Sequence, residues 1–187
     1  VVLYPTGPGE RIRIAARGIE SFSAAEWFPD GQRLLICGSS ASRAPRCYRQ
    51  DLVGSEPEPL TPEGVLGSLA PDGRTLLLTL RDGSSQLSSV DGVPARPVAA
   101  LRPEDRRIAW SRDSRSVFVQ RGIGAPAVVE RVDLVTGART SVATLAPEGL
   151  GAVAMIYVTD WVDDGRWYAY NYTSLPSTLF LVSGAPR

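Results

Sequence analysis

Short apolar runs recur along the chain, and each follows the same polar turn motif. The four motifs are residues 26–31, 68–73, 109–114 and 160–165. In each motif a large apolar residue stands three positions before an aspartate, and glycine follows the aspartate in three of the four. Asp-Gly accepts the positive φ of a tight turn, so the pattern predicts two strands joined by a turn. The repeated positions are Trp27, Asp30 and Gly31; Leu69, Asp72 and Gly73; Trp110 and Asp113; and Trp161, Asp164 and Gly165.

The strands that follow these motifs are predicted to be buried on both faces. Residues 33–37, 74–80 and 115–119 are nearly continuous apolar runs rather than alternating ones, which is typical of such strands. The large apolar residues of the motifs recur at one structural phase, so we expect them to pack between neighbouring repeats. Ser114 replaces the glycine in the third motif, and we expect a looser turn there.

Further strand-like segments complete each repeat to about four strands in roughly 40 residues, which is typical of a β-propeller blade. The sequence therefore predicts an all-β chain, a partial β-propeller of four-stranded antiparallel blades, with about four blades in this chain. The predicted units are the end of a blade at 1–17, blades at 18–63, 64–105 and 106–148, and an incomplete last blade at 149–187. A third strand of that last blade is predicted at 177–182. We interpret the chain as the C-terminal part of a larger propeller.

Charge and composition exclude several classes of function. Twenty Lys+Arg balance twenty Asp+Glu, so a nucleic-acid-binding surface is not expected, and attraction to anionic lipid is weak. No apolar run approaches the roughly 18–20 residues that span a bilayer, so this segment is not expected to insert into a membrane. The sequence contains no histidine, which excludes histidine-based triads and histidine metal ligands.

The remaining candidate chemistry is sparse, so we predict no catalytic, cofactor-binding or metal-binding residues and no enzymatic activity for this segment. The repeated aspartates are predicted to cap turns, since equivalent positions of successive blades are expected to lie far apart around a ring. Asp160, Asp163 and Asp164 cluster around a tryptophan, but their spacing is not that of a calcium-binding loop. Cys37 and Cys47 flank a predicted hairpin and have two interpretations: two small buried apolar residues, which we favour, or a disulfide across the hairpin.

At this level the motifs resemble a known group of proteins. The form Trp-x-Pro-Asp-Gly at residues 27–31, followed by an apolar strand, resembles the WD-like repeat of TolB-type β-propellers. Residues 3–10, 48–52, 59–64 and 132–137 resemble the C-terminal propeller of bacterial eukaryotic-like serine/threonine protein kinases, and residues 167–182 resemble the C-terminus of that family. The second and third repeats depart from the pattern at residues 68–70, Arg112 and Ser114.

The resemblance implies a modular parent: a cytoplasmic kinase, a membrane-spanning segment, and this propeller outside the membrane as a sensor or scaffold that binds a protein or peptide. None of the kinase's catalytic residues lie in this chain. Two alternatives stay open, a gating propeller of a prolyl-oligopeptidase-type hydrolase and a TolB-like periplasmic scaffold. In each case we expect a ligand at the rim of the central channel or on loops such as 39–45 and 121–127, because loops on a rigid scaffold carry recognition.

Overall fold

The computed structural model describes residues 1–53, 56–147, 153–162 and 165–175, and the regular elements in these ranges are all β-strands. The strands form five antiparallel sheets, of which three have four strands and two have two. We number the sheets along the chain. Sheet 1 contains β1 (Val2–Leu3) and β2 (Ile12–Arg13); sheet 2 contains β3 (Ser21–Trp27), β4 (Arg33–Ser40), β5 (Arg43–Asp51) and β6 (Glu58–Pro59). Sheet 3 contains β7 (Leu66–Leu69), β8 (Thr75–Thr79), β9 (Ser85–Ser89) and β10 (Arg96–Pro97); sheet 4 contains β11 (Asp105–Trp110), β12 (Ser116–Arg121), β13 (Ala127–Asp133) and β14 (Arg139–Leu145); sheet 5 contains β15 (Val153–Trp161) and β16 (Tyr168–Ser174).

Each four-stranded sheet is a meander whose strands pair in chain order. The Asp-containing turn joins the first strand of a sheet to the second, and it does so in one register. The large apolar residue before the turn pairs with the second strand as Trp27 with Leu34, Leu69 with Leu76, Trp110 with Val117, and Trp161 with Tyr168. The repeat in the sequence is therefore a repeat of one hairpin. Asp163, Asp164 and the strand predicted at 177–182 lie outside the described residues.

The core lies between the sheets, and the second strands carry most of it. Side chains alternate across a strand, so Leu34 and Ile36 of β4 pack towards sheet 1, while Leu35 packs towards sheet 3. In β12, Val117 and Val119 face sheet 3 and Phe118 faces sheet 5. These residues are almost completely buried, which explains why the second strands are apolar at consecutive positions.

The large apolar residues of the motifs differ in burial. Leu69 and Trp161 are 7% and 6% exposed, and Trp110 packs against the apolar cluster between sheets 3 and 4. Trp27 is 52% exposed, so the expectation that it packs between blades is wrong. The other three face a sheet of four strands, whereas Trp27 faces the two-stranded sheet 1, which covers its partner Leu34 but not the indole.

The third turn is as tight as the others, so the expectation of a looser turn at Ser114 is also wrong. The residue after the aspartate has a φ of 65° at Gly31, 68° at Gly73, 59° at Ser114 and 69° at Gly165. Its N–H donates to the carbonyl three residues earlier in all four turns, at 2.7–3.1 Å. Ser114 adopts the left-handed conformation that favours glycine, and its hydroxyl accepts a hydrogen bond from the N–H of Asp72 at 3.0 Å.

Cys37 and Cys47 form a disulfide, which corrects the favoured interpretation as two separate buried thiols. The two residues lie directly opposite each other on β4 and β5, and both are buried in the apolar cluster between sheets 2 and 3. The disulfide also contacts the next sheet, since the N–H of Gly67 in β7 lies 3.1 Å from the Cys47 Sγ.

Candidate functional site

The motif aspartates that the structure describes, Asp30, Asp72 and Asp113, are directed at the backbone of their own turns. Asp30 accepts hydrogen bonds from the N–H groups of Gln32 and Arg33, and Asp72 accepts them from Arg74 and Thr75. The N–H of Gln32 holds the pKa of Asp30 below its ordinary value. Burial acts to raise the pKa of Asp72, but hydrogen bonds from Thr75 and from the N–H of Arg74 outweigh it and lower the pKa. Within the described ranges, no group of three or more acidic or cysteine side chains is placed to hold a metal ion.

Successive turns touch, so the expectation that equivalent positions lie far apart is wrong at this end of the sheets. A Cβ added to Gly73 would lie 2.7 Å from the Cδ of Pro29 in the preceding turn. The hydrogen bond from Asp72 to Ser114 joins the second turn to the third. The first three turns therefore form a contiguous row, in which the carboxylates of Asp30 and Asp72 remain bound to their own backbones.

A different set of polar residues joins the first strands of sheets 2, 3 and 4. Glu26 in β3 accepts a hydrogen bond from the N–H of Leu69 in β7 at 2.7 Å. Its other carboxylate oxygen lies 3.6 Å from the Arg107 guanidinium in β11. The indole N–H of Trp110 in β11 donates to the buried hydroxyl of Ser68 in β7 at 2.8 Å. Three sheets thus converge on one polar junction.

This junction borders a cleft of about 260 Å³, which we call the first-strand cleft. Its wall exposes more apolar than polar surface, and five of its lining side chains carry polar groups. Many ligand-binding sites combine apolar walls with polar groups in this way. Glu26 and Arg107 are each about one third exposed. The lining residues are Ser23, Ala24 and Glu26 of β3, Cys37 of β4, Leu66, Gly67 and Ser68 of β7, Leu77 and Thr79 of β8, and Arg107 of β11.

Arg107 is the electrostatic centre of the first-strand cleft. Burial lowers the pKa of its guanidinium, the charge of Glu26 acts in the opposite direction, and the neighbouring Arg106 lowers it further. Among the described residues, Glu26 provides the one ion pair of Arg107, and 3.6 Å is longer than a hydrogen bond. The guanidinium therefore keeps donors available at the cleft.

Sheets 4 and 5 are joined by polar contacts of another kind. Arg106 donates to the carbonyl of Val158 in β15 at 2.6 Å and lies over the ring of Tyr157. The fully buried Gln120 in β12 donates to the carbonyl of Ile156 and accepts from the N–H of Val158. Both ends of the Gln120 amide are satisfied, so its role is to hold the two sheets together.

A second ion cluster, formed by Arg139, Asp105 and Glu130, has its charges paired. Arg139 makes a two-pronged contact with Asp105 at 2.7 and 2.9 Å, and it also donates to Glu130 and to the carbonyl of Ala100. The hydrogen bonds to Asp105 raise the pKa of Arg139. This cluster ties β11, β13 and β14 together and leaves no donor directed at a cleft.

The two loops expected to carry recognition do not line the first-strand cleft. In the loop after β4, the N–H of Ala41 donates to Glu20 at 2.8 Å. In the loop after β12, the carbonyl of Ile123 accepts from the N–H of Ile156, which fixes this loop against β15.

Sequence reasoning missed Glu26, Ser68 and Arg107. Glu26 and Ser68 are the first residues of the first two motifs, but no sequence signal joins either of them to Arg107.

No protein-family model and no curated protein matches the chain. Solved structures match it. A putative TolB from Agrobacterium tumefaciens is 24% identical with a TM-score of 0.55, covering 82% of this chain and 54% of that one. TolB from Acinetobacter baumannii is 20% identical with a TM-score of 0.57, covering 87% and 45%. A prolyl endopeptidase is 13% identical with a TM-score of 0.53, covering 83% and 26%.

The chain has a TolB-like β-propeller fold. The four-stranded antiparallel sheets are its blades, and the predicted fold class, a partial propeller, is confirmed. The chain spans about half the length of the TolB chains that it matches. In the part of the chain that the structure describes, no helix is long and apolar enough to cross a membrane. The first-strand cleft lies where three successive blades meet.

Proposed function

We propose that this chain is a non-catalytic propeller segment that binds a protein or peptide. The first-strand cleft carries the proposal, because it combines apolar walls with a guanidinium whose donors are largely unused. Two further observations support the non-catalytic part of the proposal: the sequence has no histidine, and the described repeat aspartates bind the backbones of their own turns.

We further propose that the segment is extracytoplasmic and belongs to a bacterial serine/threonine protein kinase as its sensor. The segments at residues 48–52 and 132–137 support the kinase link through their resemblance to that family, and the Cys37–Cys47 disulfide supports an oxidising compartment. The division into units at 1–17, 18–63, 64–105, 106–148 and 149–187 is part of this proposal. It is supported by sheets 2 and 3, each of which lies inside one unit, and by sheet 4, which begins one residue before the unit 106–148.

The sequence of the complete gene separates the kinase proposal from its alternatives. A kinase catalytic domain and a membrane-spanning segment before this propeller would support it. A hydrolase domain in the same gene would favour a gating propeller instead, a role for which the likeness to a prolyl endopeptidase is the supporting observation. A gene with neither enzyme would favour a TolB-like periplasmic scaffold.

Peptide binding is tested by selecting peptides from a random phage-displayed library against the complete 187-residue chain. We expect enriched peptides whose binding is lost in Arg107→Gln and retained in Arg96→Gln, which removes an exposed arginine on the outer strand β10. Enrichment that does not exceed the background, or binding that survives Arg107→Gln in a folded protein, would overturn the proposal.

A further inference from the structure

We propose that the first-strand cleft recognises a carboxylate group of its peptide ligand, an aspartate or glutamate side chain or a C-terminus, through Arg107. This inference rests on the proposed peptide-binding function and names the chemistry that the cleft selects. It is carried by the hydrogen-bonding state of the Arg107 guanidinium, by the balance of charge at the junction and by the size and walls of the cleft.

The Arg107 guanidinium has more donors than the described residues use. A guanidinium presents five N–H donors in a fork that matches a carboxylate. The nearest carboxylate oxygen, from Glu26, is 3.6 Å away, beyond the usual length of a hydrogen bond. Arg139 provides an internal comparison, since it holds Asp105 by two hydrogen bonds of 2.7 and 2.9 Å. Arg107, in the same sheet, has no such two-pronged partner among the described residues, and it borders the first-strand cleft.

Glu26 does not fully neutralise the positive charge at the cleft, because one of its two carboxylate oxygens is hydrogen-bonded to the backbone of β7. Its Oε2 accepts the N–H of Leu69 at 2.7 Å, so one oxygen remains for Arg107. Arg106 stands next to Arg107 in β11 and interacts with it as a like charge. The Arg106 side chain points to the other face of the strand, where it donates to the carbonyl of Val158, but its charge still adds to the positive potential at Arg107. A carboxylate from a ligand would balance this charge.

The dimensions favour one side chain or one chain end over a folded loop. The cleft holds about 260 Å³, slightly below the range of about 300–1,000 Å³ that is usual for drug-sized ligands. Ala24, Leu66 and Leu77 provide apolar contacts for the methylene groups of an acidic side chain. Ser23 and Thr79 add hydroxyl groups at the border.

The test uses small probes that differ in one functional group. N-acetyl-glutamic acid α-amide carries a side-chain carboxylate, N-acetyl-alanine carries a terminal one, and N-acetyl-glutamine amide is the matched neutral control. Binding to the complete chain is measured by NMR titration at constant ionic strength. We expect a dissociation constant on the order of 1 mM for at least one of the two acids, as is usual for ligands of this size, and at least tenfold weaker binding of the neutral amide.

The variants distinguish a binding site from a structural ion pair. Arg107→Gln should abolish binding of the acids, Arg107→Lys should retain part of it, and Arg96→Gln should leave it unchanged. Glu26→Gln keeps an acceptor for the N–H of Leu69 but removes the charge that competes with the ligand for Arg107. We therefore expect this variant to bind the acids about three- to tenfold more tightly, which is the usual effect of removing a charge from a partly exposed site. If the Glu26–Arg107 pair has only a structural role, Glu26→Gln brings no gain in affinity for the acids.

Three results would overturn the inference. They are equal binding of the acid and amide probes, unchanged binding in folded Arg107→Gln or Arg107→Lys, and weaker binding in Glu26→Gln. If library peptides still require the cleft while the acid and amide probes do not differ, the carboxylate preference fails and the proposed peptide-binding function stands. If neither library peptides nor the probes bind, both fail.

Discussion

At the scale of single residues, each described turn uses an aspartate to hold the backbone that leads into the second strand. Asp113 shows the arrangement in the third turn, where it accepts from the N–H of Arg115 and from the hydroxyl of Ser111. The same turn tolerates Ser114 at a φ of 59°, because the chain gains a contact with the second turn through the serine hydroxyl. Ser114 therefore departs from the preference for glycine at a positive φ, and it does so where two neighbouring blades meet.

Asp72 gives a prediction about pH at this scale. Its pKa in the folded protein is lower than its ordinary value, since hydrogen bonds from Thr75 and Arg74 outweigh the effect of burial. A depressed pKa contributes stability above the ordinary pKa, and this contribution is lost as the pH falls through the folded value. We expect the wild-type free energy of unfolding to exceed that of Asp72→Asn near pH 6 and to converge with it as the pH falls from about 5 to about 2.

The matched substitution Asp72→Ala separates charge from hydrogen bonding. Alanine removes the acceptor for the N–H groups of Arg74 and Thr75, so we expect a loss of about 1 kcal/mol at neutral pH and a smaller loss for asparagine. The measurement is urea denaturation of the three proteins at a series of pH values. A constant difference between wild type and Asp72→Asn across the whole range would contradict the electrostatic account.

At the scale of elements, neighbouring blades are joined by an apolar cluster together with a polar contact that involves the first strand of at least one of the two sheets. Glu26 bonds to Leu69 between sheets 2 and 3, Trp110 bonds to Ser68 between sheets 3 and 4, and Gln120 bonds to β15 between sheets 4 and 5. Apolar packing is non-directional, whereas these hydrogen bonds require one register. They fix how each blade sits on the next.

Gln120 allows this role to be measured. Gln120→Leu keeps a side chain of similar size but leaves the carbonyl of Ile156 and the N–H of Val158 without their buried partner. Each unsatisfied buried group costs about 1–3 kcal/mol, so we expect the free energy of unfolding to fall by at least about 2 kcal/mol. The measurement is equilibrium urea denaturation, with the exposed Gln32→Leu as the control. A loss for Gln120→Leu no larger than that of the control would show that sheets 4 and 5 do not depend on the amide.

At the scale of the whole molecule, the repeat could be predicted from sequence and the junctions between repeats could not. The hairpins follow from Asp-Gly turns and apolar runs, which are local signals. The contact of Glu26 with Arg107 joins the second sheet to the fourth, and it depends on how the blades are arranged in space. The exposure of Trp27 has the same origin, because the indole occupies a motif position whose burial is decided by the sheet opposite it. The pairing of Cys37 with Cys47 required the register of β4 against β5, which the sequence left open.

The disulfide gives the last prediction, because it lies inside a junction between blades. Cys37 and Cys47 pack against Leu69, Leu76 and Leu78 of the next sheet. Closing a loop of about ten residues stabilises a protein by about 2–3 kcal/mol through the entropy of the unfolded chain. We expect a reducing agent to lower the urea midpoint of the wild-type chain, and to leave that of Cys37→Ala/Cys47→Ala unchanged. Non-reducing mass measurement before and after thiol alkylation reports the state of the bond. If the two thiols are free in protein exported to an oxidising compartment, the disulfide no longer supports an extracytoplasmic location. If reduction breaks the bond and leaves the wild-type midpoint unchanged, the disulfide contributes no stability.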